Sequence, residues 1–162
     1  AGGNLDRKMY PLPEISIDKW DEQIDLNMKT KFWGSQQAAR RMTNGGRIIN
    51  IISVAAHNAS PGFGAYSSAN NGMIAFTRTM AVELAPFQVR VNALNPVAGD
   101  TPLLKTFMGA DTPEVRAKFL ASIPIGRFST PKDMGAAAAF LCSDDASMIT
   151  GVAMEVDGGR CI

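Results

Sequence analysis

The chain has 162 residues, 46% of them hydrophobic and 19% charged, which is globular composition with material for one core and excludes a disordered chain. Sixteen Lys and Arg against 15 Asp and Glu leave a formal net charge of +1, which argues against a dedicated nucleic-acid binder with its basic stripe. No apolar run reaches the ~18 residues of a membrane span. The two cysteines, Cys142 and Cys161, make neither a disulfide framework nor a C-x-x-C pair and read as reduced cytoplasmic thiols.

The first residues, AGGNLDRK, hold no apolar stretch of the kind a signal peptide needs and no initiator Met, so the chain reads as processed or cut from something longer. Residues 1–14 are rich in Gly, Pro and Asn and read as loop. A helix opens at Ser16, a plausible N-cap with Asp18 in the first turn. Its apolar positions Trp20, Ile24, Leu26, Met28, Phe32 and Trp33 recur at helical spacing, and the pattern runs on to NGG at 44–46. That length predicts one long helix, or two broken near Asn27.

RIINIIS, 47–53, is short, β-branched and almost wholly apolar, as suits a parallel strand buried on both faces. The loop VAAHNASPGFG follows. Its His57 has no other metal-ligating residues around it and reads as a plain loop residue. A helix covers 65–85 and is closed by Pro86. VRVNALN, 89–95, is a second buried strand ended by Pro96, and 97–112 reads as irregular. TPEVRAKFLASI starts a short helix with Pro113 in its first turn, and STPKDMGAAAAFLCS another, capped by Ser129 or Thr130 with Pro131 just inside. VAMEVDGG, 152–159, is a third strand ending in glycines. Strands alternating with helices predict an α/β architecture of parallel βαβ units with helices on both sheet faces.

Functional groups in such sheets gather at the carboxyl ends of the strands, which directs attention to Ser53, to Asn95 through Thr101, and to the loop after Asp157. Tyr66 follows Ser53 by thirteen residues, at the start of the helix that packs beside that strand. A hydroxyl at a strand end and a phenol at a helix start can converge on one pocket. There the phenol can act as general acid or base if its pKa of ~10 is pulled down. Taken alone, the pair also reads as a loop serine and a packed aromatic. Met73, Phe76 and Met80 fall at helical spacing and read as core. Asp144, Asp145 and Glu155 lack metal-ligand spacing, so no metal site is expected.

Four stretches carry a family resemblance: AGG at 1–3, DLNMKTKFWGSQQAA, the run GRIINIISVAAHNASPGFGAYSSANNGMIAFTRTMAVELAPFQVRVNALNPVAGDTPLL, and IPIGRFSTPKDMGAAAAFLCSDDASMITGVAMEVDGG. Together they resemble the short-chain dehydrogenase/reductase family, nearest to its 3-oxoacyl carrier-protein reductase and glucose 1-dehydrogenase-like members. The resemblance implies a three-layer, doubly wound, Rossmann-like parallel sheet, here one partial domain over 1–162, truncated at its N-terminus to about three strands. It implies hydride transfer between NAD or NADP and a small carbonyl or alcohol. Ser53 would polarise the substrate oxygen, Tyr66 would exchange its proton, and Asn27 would hold a water in the relay. Gly2 would line the adenine side of the cofactor pocket, Pro96 and Val97 the nicotinamide side, and Thr101 would contact the carboxamide. The segment after Pro102, with Leu103, Leu104, Phe107 and Met108, would be a lid. Copies of the chain would pair through the helices at 16–42 and 65–85.

Three departures bear on activity. The family motif is Tyr-x-x-x-Lys, and the fourth residue after Tyr66 is Asn70. Positions i and i+4 share a helix face, so Asn70 stands where the lysine would, able to bond a ribose hydroxyl but neutral. A unit charge about 5 Å away at an effective dielectric of ~20 is worth roughly 3 kcal/mol, or about two pKa units on the phenol. Val97 replaces the usual glycine after the proline. The Gly-rich turn that cradles a pyrophosphate is missing from the front, and GFGAYS at 62–67 does not substitute for it, since Ser67 stands at its third glycine. These departures leave a second expectation open: a non-catalytic oligomerisation or regulatory scaffold, or an inactive fragment. RIINIIS would then be an open apolar edge.

Overall fold

The computed structural model describes residues 9–58 and 60–162. Its parallel sheet consists of β1 (Gly46–Ile51), β2 (Val89–Pro96) and β3 (Ala153–Val156), in the order β1-β2-β3. Ile48 stands opposite Val91 in the first ladder, and Ala93 opposite Ala153 in the second. Central β2 is buried at every position but its last, as an apolar run covered on both faces should be. β1 is not covered in that way. It lies at the edge of the sheet, only Ile48 and Asn50 are buried, and Ile51 is 42% exposed. β3 is shorter than expected, because Asp157–Gly159 leaves the ladder in a turn.

The described residues also form α1 (Ile17–Ile24), α2 (Thr30–Ala39), α3 (Gly64–Leu84), α4 (Leu104–Met108), α5 (Pro113–Leu120) and α6 (Pro131–Cys142), of which α2, α3 and α6 pack on the strands. Ser16 caps α1, its Oγ accepting from Lys19 N at 3.3 Å. The expected break near Asn27 is a π turn, Asp25–Lys29, which joins α1 to α2 without leaving helical backbone. The rod ends at Ala39, short of the expected 42.

α3 buries Ala65, Tyr66, Ala69, Asn70, Met73, Ile74, Thr77, Met80 and Ala81, a stripe at three- and four-residue spacing. Met80 and Ala81 pack with Ile48, Val89 and Val91, and Met73 and Ile74 with Ile52 and Ala93. The alternate positions of β2 serve the opposite face. Arg90 donates to the carbonyls of Ser143 (2.9 Å) and Ile149 (3.1 Å), and Asn92 to that of Ile149, in the segment following α6.

Two local expectations change. Thr130, not Ser129, caps α6: its Oγ1 accepts from Asp133 N, and the Asp133 carboxylate accepts from Thr130 N at 2.7 Å. Ser129 instead turns its hydroxyl to the carbonyls of Val97 and Ala98. The irregular stretch contains α4, too short for periodicity to reveal. Leu104 anchors it, 1% exposed, in a cluster with Val54, Val97, Ile123 and Phe128.

Candidate active site

A cavity of about 330 Å³ opens at the carboxyl ends of β1 and β2, lined among others by Ser53, Tyr66, Pro96, Val97, Phe119 and Arg160. Ser53 arrives there because β1 pairing carries on to Ile52, whose N–H donates to Leu94 O at 2.8 Å. Ser53 itself is extended, and its Oγ accepts from Ala55 N at 3.2 Å, capping the short 3₁₀ turn Val54–Ala56. Tyr66 sits in the first turn of α3, buried, its ring edge-on to Phe63 with centroids 6.1 Å apart. Burial holds its phenol above the ordinary tyrosine value, with hydrogen bonding from Ser53 and Asn70 pulling less strongly the other way.

Asn70 lies one turn along α3 from Tyr66 and is 1% exposed. Its Nδ2 donates to Tyr66 O at 2.8 Å, while its Oδ1 is buried and accepts no hydrogen bond. Asn27 is equally buried, in the π turn that packs on α3, and its Nδ2 donates to Gln23 O and Oε1, both at 3.1 Å. The Asn27 carbonyl accepts from the Lys31 ammonium, whose pKa burial lowers.

Ser53, Tyr66, Pro96 and Val97 therefore meet in one cavity, with Asn70 one turn along the helix from the phenol. Asn27, in the π turn that packs on α3, does not line the cavity. Thr101 is exposed and lies off the lining, its N–H donating to Gly99 O at 2.9 Å. Gly2 lies outside the described residues. Val97 is 5% exposed and belongs to the apolar cluster beneath the cavity. Leu103 lines the cavity and is 56% exposed, whereas Leu104 faces the core. Among the described residues, no group of three or more His, Cys, Asp or Glu side chains could hold a metal ion.

Sequence reasoning gave no functional role to two residues. His57 is no plain loop residue: its Nε2 lies 3.0 Å from Glu155 Oε1, with fully buried Asn95 beside both, so it ties the loop after Ser53 to β3. Arg160 reaches the cavity from the turn after β3. It lies four residues past the end of β3, in the loop after Asp157 to which the strand's carboxyl end directs attention.

A buried protonated phenol and a serine hydroxyl facing one apolar cavity can hold a carbonyl oxygen and hand it a proton.

Comparison with known proteins gives three kinds of match. The family model described as Enoyl-(Acyl carrier protein) reductase matches residues 2–160. The chain is 41% identical over 155 residues to 4-formylbenzenesulfonate dehydrogenase of Comamonas testosteroni, covering 94% of this chain and 62% of that protein. Among solved structures it is similar to 3-ketoacyl-(acyl-carrier-protein) reductase from Brucella melitensis complexed with NADH (TM-score 0.81, 38% identity, 96% of this chain and 63% of that one). It is also similar to a short-chain type dehydrogenase/reductase from Mycobacterium ulcerans (TM-score 0.91, 31% identity, 99% of this chain and 58% of that one). The chain thus spans about three fifths of the length of these relatives.

Proposed function

The chain belongs to the short-chain dehydrogenase/reductase family, and from that premise we propose that its cavity serves NAD- or NADP-dependent interconversion of a small carbonyl compound and its alcohol. The observation that carries this reading is the joint lining of one cavity by Ser53 and Tyr66. The substrate carbonyl oxygen accepts from the Ser53 hydroxyl and from the Tyr66 phenol, and Tyr66 gives up its proton to the nascent alkoxide. A bound nicotinamide supplies the hydride. Raised by burial, the Tyr66 phenol stays protonated at neutral pH, which favours the reducing direction.

One feature supports a cofactor there. The orphaned Oδ1 of Asn70, buried one helical turn from Tyr66, is an acceptor suited to a ribose hydroxyl. Pro96, Val97 and Thr101 would attend the nicotinamide side, and Gly2 the adenine side. Asn27 would hold a water in the proton relay.

The test is carbonyl reduction with NADH and NADPH across a panel of aldehydes and ketones. Tyr66→Phe should lower turnover by about 10²-fold or more. Turnover unchanged in that variant overturns the assignment. Asn70 in place of a cation favours a second reading, a non-catalytic scaffold. Titration by nicotinamide fluorescence separates the two, with no cofactor binding expected for the scaffold.

Self-association fits the exposed apolar surface on both long helices: Phe32 and Trp33 on α2 are 43% and 65% exposed, and Val82 on α3 is 76% exposed. Free Cys142 and Cys161 suit a reducing, cytoplasmic setting. No helix among the described residues is long and apolar enough to cross a membrane.

A further inference from the structure

Arg160 is the only charged side chain among the described residues lining the cavity that holds Ser53 and Tyr66. Every other lining residue is apolar or neutral. The arginine is built into place. After β3, Asp157 accepts from Gly159 N at 2.9 Å and from Cys161 N at 2.8 Å, closing a tight turn around residue 160. Gly158 in that turn has φ 66°, and a Cβ there would come within 2.7 Å of Ile123 Cγ2, so only glycine fits. Asn58, from the loop after β1, donates to Arg160 O at 3.4 Å.

The side chain is also restrained. The guanidinium carbon lies 4.3 Å from the centroid of the Phe119 ring, itself a cavity wall, and one N–H donates to the Ser122 hydroxyl.

Its charge has no carboxylate partner among the described residues, whereas Arg116 and Arg127 have carboxylate oxygens at 2.5 Å and 2.8 Å. A half-buried guanidinium has five N–H donors, and one hydroxyl answers only one of them. The fork geometry suits a carboxylate, and a charge-assisted pair beside an apolar wall is stronger than one in open water.

We propose that Arg160 makes this cavity selective for carbonyl substrates that carry an anionic group, a carboxylate or similar oxyanion, on an aromatic or short apolar body. Phe63, Phe119 and Leu103 line the space for that body. The inference rests on the reading of the Ser53–Tyr66 cavity as the substrate site.

The test needs binding rather than turnover. The 162-residue chain is titrated with 4-formylbenzoate and, separately, with its neutral methyl ester, and amide shifts in the ¹H–¹⁵N spectrum report affinity and location. Expected is binding of the acid at least about tenfold tighter than the ester. The preference should vanish in Arg160→Met, which keeps the stem over Phe119, and persist in part in Arg160→Lys. It should also shrink with added salt. Equal affinity for acid and ester, with shifts at Ser53 and Tyr66, overturns the role of Arg160 and leaves the site reading standing. A preference that survives Arg160→Met overturns it too. Failure of both compounds to move Ser53 or Tyr66 overturns the site reading and this proposal together.

Discussion

Tyr66 and Asn70 show how the surroundings of one side chain set its protonation. Burial raises the phenol's pKa and no cation stands on its helix face to lower it, so the neutral form is favoured. With Tyr10→Phe leaving Tyr66 as the one phenol, tyrosinate absorbance should rise only above the ordinary value near 10. Adding Asn70→Lys should move that transition down by about two units if the ammonium reaches the phenol. A midpoint at or below the ordinary value in the parent would show that burial does not govern the group. The same shift bears on stability. A folded pKa above the unfolded one favours the fold fully below pH ~10, and that contribution is lost as pH rises through the folded value. Tyr66→Phe should therefore flatten the alkaline limb of the stability curve.

At the scale of elements, polar groups inside apolar runs decide how pieces join. β1 reads as a plain hydrophobic strand, yet Asn50 at its centre is buried. It accepts from Ser35 Oγ of α2 at 3.0 Å and donates to Thr77 Oγ1 of α3 at 3.0 Å, tying both helices to the strand. Asn50→Ala strands both hydroxyls and should cost about 1–3 kcal/mol in urea unfolding. The start of α6 depends on a reciprocal cap, and Thr130→Ala should cost about 1 kcal/mol by the same measurement. Asp133 in that cap is held well below the usual carboxylate range, first by Arg127 and then by Thr130. Its contribution is present above the unfolded value and lost as pH falls through the folded one, so Asp133→Asn should reduce stability at neutral pH and leave it unchanged in strong acid.

At the scale of the whole molecule, β1 pairs on one side only among the described residues. A groove of about 440 Å³ runs between β1 and α2, lined by Gly34, Ala38 and Ile48–Ile51. Exposed apolar edges template pairing with other chains. The helix faces carrying Trp33 and Val82 are a separate apolar surface. Light scattering against concentration should distinguish them. Ile51→Lys lowers association if the edge is the contact, and Trp33→Glu if the helices are. Association unchanged by either variant excludes both surfaces.

The sequence by itself determined the order of strands and helices, their parallel arrangement, and the placing of Ser53 and Tyr66 at strand and helix ends, because periodicity, caps and β-branching act over a few residues. It offered a break near Asn27 as one of two readings of the first helix, and it marked the substitution at Asn70, for the same reason. Only the tertiary structure decided what distant residues share. Arg160 and Phe119 reach the cavity of Ser53 through a glycine turn and a separate helix, His57 meets Glu155 across two strands, and Asn50 bridges α2 and α3. Such contacts depend on how the strands align and how the helices pack, which no local pattern encodes. Thr101 shows the limit from the other side: a position matched to a motif along the chain is placed by the fold on an exposed turn, off the cavity lining.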